Sequence, residues 1–306
     1  MGLIRRKGWQ YGDWLALDKK PGSSFGATPH DLVATAFDAN SVRILGESAR
    51  ILGEGADAEA YSSLHLDIVS AFGRRFLDHF GHLTARTQTT RALALAFDLV
   101  PPGARRTVAD DLLLLIEEAG GHLTTGFLGT AHLCPVLVEA GHADAAMLLL
   151  RTEYPSWCYP VTKGATTIWE RWDGITPDGS LSSPGMNSFN HYTYGAVGRY
   201  LNEHVAGLAP LEPGYRRILV RPRPCPGLDS AEASLESPYG RIEVGWRLSD
   251  GVMHLAVRIP ANAFALDFRP AADGGSLDRE GLSIGSGRHE WSYAWGTWKS
   301  GLANAS

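Results

Sequence analysis

Cysteine is scarce in this 306-residue chain. Its three copies, Cys134, Cys158 and Cys225, are odd in number and far apart, which excludes a disulfide framework and the short spacings of a zinc site. The eleven histidines are scattered and nowhere form His-Glu-x-x-His, so each reads as structural or hydrogen-bonding before it reads as a ligand. No metal and no cofactor is expected. No apolar run reaches the roughly 18 residues of a membrane span, so no membrane partner is expected. The densest basic run, Arg5-Arg6-Lys7, is too short for a nucleic-acid stripe, and the net charge of −5 is modest. At the start, Gly2-Leu3-Ile4 gives way to charge and then to Trp9-Gln10-Tyr11, which does not read as a signal peptide. A cytoplasmic location is the default expectation.

What the chain does have is length for a large core or two domains, with 44% hydrophobic and 20% charged residues, the balance of an ordinary globular protein. The first two-thirds carry helical periodicity. Thr28-Pro29 opens a helix with Thr28 as N-cap, and its apolar face runs from Leu32 to Leu52 before Gly53 and Gly55 stop it. A second helix runs from near Ala56 to Phe80-Gly81, and a third follows Thr87-Gln88-Thr89-Thr90. Three more are expected near Ala104 to Ala119, Thr130 to Ala140 (despite Pro135) and Ala143 to Arg151, and a seventh near Ser188 to His204. Gly81-His82-Leu83-Thr84 recurs as Gly121-His122-Leu123-Thr124, each copy after a long amphipathic helix and before a smaller Ala/Thr/Gly-rich one. Such spacing suggests a repeated helix pair, with small helices in an inner ring and amphipathic ones outside.

After Gly207 the helical period disappears. Ile218 to Val220, Ala231 to Glu236, Arg241 to Leu248, Val252 to Ile259 and Phe264 to Phe268 read as strands, with Ser249-Asp250-Gly251 as a hairpin turn. The expected fold is mainly α with a C-terminal all-β domain: residues 1–206 helical, residues 207–306 a β-sandwich.

Chemistry is expected in Gly164 to Gly174, where Glu170 stands between Trp169 and Trp172 with Arg171 and Asp173 beside it. This is a long irregular segment between helices, and such loops carry function more often than core elements do. Indole faces beside a carboxylate suit a sugar ring, which stacks its C–H face and needs hydrogen bonds for its hydroxyls. The plainer reading is a surface loop whose tryptophans plug the helix ends.

Laid out in this order, the chain resembles the C-terminal portion of a bacterial α-L-rhamnosidase, an inverting glycoside hydrolase with a six-hairpin helical toroid. The resemblance is carried by Tyr11-Gly12-Asp13-Trp14-Leu15, Thr87-Gln88-Thr89 with Ala92 to Leu95, His122 through Thr130, Tyr154-Pro155-Ser156-Trp157, Gly164 through Gly174, and Asn187 through Gly195. Ser237-Pro238-Tyr239-Gly240 with Trp246 and Ile259-Pro260-Ala261-Asn262 resemble the family's closing β-domain. It implies a partial (α/α)6 toroid followed by a β-sandwich, and hydrolysis of terminal non-reducing α-L-rhamnose from a small-molecule or oligosaccharide rhamnoside. Glu170 matches the family's general base and His191 a residue that hydrogen-bonds the sugar beside it. Trp14, with Asp13 next to it, matches part of the aromatic wall, and Trp169 and Trp172 would shape the base's pocket. His191 also fits a helix cap, and Trp14 a plain core residue. The family's general acid lies upstream of the matching segments, so the chain is expected to be a fragment with its acid missing. Inner helices without neighbours would then expose apolar faces, favouring pairing with another copy as a homo-oligomer. Another toroidal glycosidase or polysaccharide lyase, or a non-catalytic carbohydrate-binding or assembly piece, fits the residues as alternatives.

Overall fold

A computed structural model describes residues 2–151, 154–183, 185–225, 227–267 and 282–295. The chain divides into two compact units. The first comprises Met1–Ala140 with Leu148–Gly195, and the second Gly141–Met147 with Ala196–Ser306.

The first unit is built from helical hairpins. Helix α1 (His30–Leu52) packs along α2 (Gly55–Phe76), and Gly53 at φ 81° supplies the left-handed turn that ends α1. Thr28 does not cap α1. Pro29 takes the N-cap position, and the Thr28 hydroxyl is buried 2.7 Å from that of Thr87. Helix α2 stops at Phe76, ahead of the expected Phe80, because Leu77 turns extended and pairs with Leu83. The Asp78 carboxylate holds that turn by accepting from the Phe80 and His82 amides, both at 2.9 Å.

Helix α3 (Gln88–Ala96) follows, with Thr87 as a true N-cap that accepts from the Thr90 amide. It packs on α1, on α4 (Arg105–Glu118) and on α5 (Phe127–Glu139). Every residue from Gln88 to Leu95 is buried; the polar ones are hydrogen-bonded, Gln88 to the Leu115 and His122 carbonyls and the Thr124 amide, and Arg91 to the Leu83 and Ala85 carbonyls. The inner place expected for the Ala/Thr-rich helices is thus observed, and both Gly-His-Leu-Thr copies precede an inner helix. Helix α6 (Ala143–Arg151) matches its expected span, and a short α7 (Cys158–Thr162) interrupts what reads as loop. The seventh expected helix begins later, at Thr193, as a 3-10 turn (Thr193–Ala196), α8 (Val197–Tyr200) and a π turn (Leu201–Ala206). Residues 188–192 stay irregular because the Ser188 carbonyl and the His191 amide are taken by backbone groups of Glu170 and Ile168.

The second unit holds two four-stranded sheets. One has the order β1 (Leu208–Pro210), β2 (Arg217–Val220), β6 (Phe264–Asp267), β7 (Leu282–Ile284), with β2 and β6 parallel. The other, β3 (Ser230–Ser237), β4 (Gly240–Ser249), β5 (Val252–Ile259), β8 (Gly287–Ala294), is antiparallel throughout. Asp250 and Gly251 both have positive φ (52° and 73°), the conformation a tight β4–β5 hairpin requires. Period-two burial places Ile242, Val244 and Trp246 of β4 beside Met253, Leu255, Val257 and Ile259 of β5 on one covered face, each large side chain stabilising by about 1.5–3 kcal/mol. The Trp246 indole N–H donates to the Val205 carbonyl at 2.8 Å. Phe268, expected at the end of β6, lies outside the described residues. Among the described residues, no helix is long and apolar enough to cross a membrane.

Candidate active site

The site is assembled at the N-terminus of α5, whose first amides have no partner within the helix. The Asp13 carboxylate supplies one. It is fully buried and accepts from the amides of Gly126 (2.7 Å), Leu128 (2.8 Å) and Gly129 (3.1 Å), and from the Thr89 hydroxyl. Burial pushes this carboxyl above its ordinary value, while the four hydrogen bonds pull it back. One residue on, the Trp14 carbonyl accepts from the Phe127 amide at 2.9 Å. The contact needs glycine, because a Cβ at Gly126 would lie 2.2 Å from the Trp14 oxygen.

This joint fixes two aromatic walls. Trp14 is half-buried, edge-on to Tyr11 (5.5 Å) and Phe25 (5.1 Å). With Phe127 and Leu128 it lines a mainly apolar cleft of about 630 Å³, closed on the far side by Val33 and Phe37 of α1. The Phe127 ring stacks on His191 at 5.2 Å and 22°, and Tyr192 stacks on the imidazole at 5.1 Å. His191 Nδ1 accepts a long bond (3.4 Å) from the Thr193 amide, so in the neutral ring the proton sits on Nε2.

Glu170 is not among the residues that line this cleft; backbone pairing ties its segment to that of His191. The Glu170 amide donates to the Ser188 carbonyl (2.9 Å) and the His191 amide donates to the Ile168 carbonyl (2.8 Å). The two segments therefore lie side by side, with His191 ahead of the 3-10 turn. The Ser188 amide donates to Glu170 Oε2 at 2.8 Å, and the carboxylate is only half-buried. Beside it, Arg171 makes a two-point bond to Asp173 (2.9 and 3.0 Å), and Lys19 Nζ lies 3.6 Å from Asp173 Oδ2. Burial raises the Asp173 carboxyl, but the Arg171 bond and the two positive charges outweigh it, leaving it below its usual value.

The expected site residues thus fall into two groups. Glu170, His191 and Trp14 keep exposed surface; Phe127 links His191 to Trp14, and Glu170 is tied to the 188–191 segment through Ser188. Trp169 and Trp172 are 5% and 3% exposed. Trp169 packs edge-on to Phe189, whereas Trp172 donates to the Thr125 carbonyl at 3.0 Å and stacks on Tyr194 at 3.9 Å. Their faces support the loop from beneath. Asp13 has no free face and is engaged by the protein rather than open to a ligand. Arg171 and Asp173 were noted in the sequence only as neighbours of Glu170, and Phe127 and Tyr194 were not singled out from it. The signals that could have marked them are the glycine pair Gly126 and Gly129 at the start of a helix, and the aromatic that follows the first glycine. Among the described residues, no cluster of three or more His, Cys, Asp or Glu is placed to hold a metal.

Residues 2–205 match the model of the bacterial α-L-rhamnosidase six-hairpin glycosidase domain, and residues 207–266 that of the bacterial α-L-rhamnosidase C-terminal domain. The chain belongs to the bacterial α-L-rhamnosidase family. Curated α-L-rhamnosidases of this kind include one from Streptomyces avermitilis, 42% identical over 85% of this chain and 25% of its own length, and one from Formosa agariphila, 38% identical over 91% and 30%. The crystal structure of Streptomyces avermitilis α-L-rhamnosidase complexed with L-rhamnose superposes with a TM-score of 0.87 at 38% identity, covering 95% of this chain and 29% of that one. That of Aspergillus terreus α-L-rhamnosidase gives 0.87 at 36% identity, covering 93% and 33%. The chain therefore spans about a quarter to a third of the length of the α-L-rhamnosidases it matches. Its architecture is that of the family: a helical six-hairpin-type domain followed by a two-sheet β domain.

Proposed function

We propose that this chain forms the C-terminal catalytic portion of an α-L-rhamnosidase, hydrolysing terminal non-reducing α-L-rhamnose with inversion. The observation that carries the reading is the backbone pairing of the Ile168–Glu170 segment with 188–191, which brings the segment bearing a half-buried carboxylate against the one whose imidazole stacks on Phe127 of α5. In an inverting reaction a carboxylate takes a proton from the attacking water while a second carboxyl group, about 6.5–9.5 Å away, protonates the leaving oxygen. Glu170 is assigned the first task. The Ser188 amide holds one oxygen of this half-buried carboxylate, so the base is oriented before the sugar arrives. His191 Nε2–H is assigned to a ring hydroxyl, and Trp14 to the sugar's apolar face. The domain limit is proposed at residues 206 and 207.

Rhamnose release from an aryl α-L-rhamnoside tests the reading, measured on the longest reading frame that contains these residues. Glu170→Gln is expected to remove nearly all turnover while L-rhamnose binding persists. A fully active Glu170→Gln enzyme would show that another group is the base. Turnover by the 306-residue chain alone would show that it carries its own acid. Release of a different sugar in preference to rhamnose would favour another toroidal glycosidase.

A further inference from the structure

We infer that Asp13 is a positioning residue for the proposed site, setting His191 through Phe127; the inference rests on the assignment of that site. Four donors and no acceptor point at the Asp13 carboxylate: the Thr89 hydroxyl and the amides of Gly126, Leu128 and Gly129. An anion at a helix N-terminus meets both unpaired N–H groups and the positive end of the dipole, which makes a buried charge tolerable here. The donors come from α3 and from the first turn of α5, 76 to 116 residues away in the chain. Glycine at 129 permits the closure, since a Cβ there would lie 2.5 Å from Thr89 Oγ1.

The carboxylate brackets Phe127. The residue before it and the two after it donate to Asp13, and its own amide donates to the Trp14 carbonyl. The backbone that carries the Phe127 ring is therefore pinned on both sides. The ring then stacks on His191 at 5.2 Å and meets Tyr194 edge-on at 5.4 Å. A side chain that touches no ligand thus fixes the spacing between the Trp14 wall and the imidazole. An amide at this position would turn an N–H toward other N–H donors and loosen the first turn of α5.

The test uses the full 306-residue chain with labelled histidine. The His191 Cε1–H resonance is assigned by its absence in His191→Gln, and its unstacked position is set by Phe127→Leu. Asp13→Asn is expected to move this resonance toward the Phe127→Leu position. The Trp246 indole N–H signal, which reports the β unit, stays in place. Affinity for L-rhamnose is expected to fall several-fold. An unmoved His191 resonance in a folded Asp13→Asn overturns the inference. If that variant does not fold, Thr89→Val serves instead, because it removes only the hydroxyl bond and leaves three amide bonds. A shift in the same direction supports the inference and an unmoved resonance overturns it. Absence of rhamnose binding in the unmodified chain would count against the proposed function alone, because the resonance shift is read without ligand.

Discussion

Replacing Trp172 tests whether the indoles around Glu170 support the loop or face a sugar. The side chain is 3% exposed, donates to the Thr125 carbonyl at 3.0 Å, stacks on Tyr194 and meets Trp157 edge-on at 5.0 Å. In Trp172→Phe the Thr125 carbonyl loses its donor in a buried place, at a cost of about 1–3 kcal/mol. The smaller ring forfeits a further ~1–2 kcal/mol of apolar burial. Together these lower stability by roughly 2–5 kcal/mol. Trp172→Ala adds a cavity and costs about 3–5 kcal/mol for the truncation, before the orphaned carbonyl is counted. In a unit of this size each kcal/mol lowers Tm by roughly 2–4 °C, so thermal unfolding followed by the helical circular dichroism signal resolves the effect. Affinity for L-rhamnose in the folded Phe variant should change little, because the ring presents no face to the cleft. The reasoning is refuted if Trp172→Phe unfolds within about 2 °C of the parent while rhamnose affinity drops.

Three further outcomes follow from the same contacts. Gly126→Ala forces a Cβ to within 2.2 Å of the Trp14 oxygen and should cost about 1–3 kcal/mol or more, seen as a lower urea midpoint. Trp14→Ala removes half-exposed ring area from the cleft and should weaken L-rhamnose binding roughly 2- to 10-fold by calorimetric titration. Asp173 has a native-state value below its unfolded one, because the Arg171 bond and the Lys19 and Arg171 charges overcome burial. Its contribution is therefore complete above the ordinary carboxylate range near pH 4 and is lost as the pH falls through the depressed native value. Acid unfolding of Asp173→Asn should show a flatter loss of stability across that window than the parent.

The architecture was legible because it is written in local chemistry. Helix periodicity, the stop at Gly53 and the Asp250-Gly251 turn each act within a few residues, and each is found where its chemistry points. Local chemistry failed where a distant group competed for the same atoms. Thr28 reads as a cap, yet its hydroxyl goes to Thr87, 59 residues away. Residues 188–192 read as helix, yet their amides and carbonyls are claimed by the Ile168–Glu170 segment. The same competition explains Asp13. A carboxylate beside a tryptophan reads as a sugar contact, and only the fold shows three amides of α5 converging on it across more than a hundred residues. Phe127 was invisible for the converse reason. Its role comes from the imidazole stacked on it at 191, and no spacing along the chain encodes that meeting. The bridge between Glu170 and His191 lies between these cases. The stretch from Glu170 to Met186 was readable as irregular, but the antiparallel pairing of the Ile168–Glu170 segment with 188–191 is a property of the folded loop. A sequence can therefore nominate the acid-bearing loop by composition. Which of its side chains face a ligand and which prop the others up is decided by burial, as the contrast between half-buried Glu170 and the closed Trp169 and Trp172 makes plain.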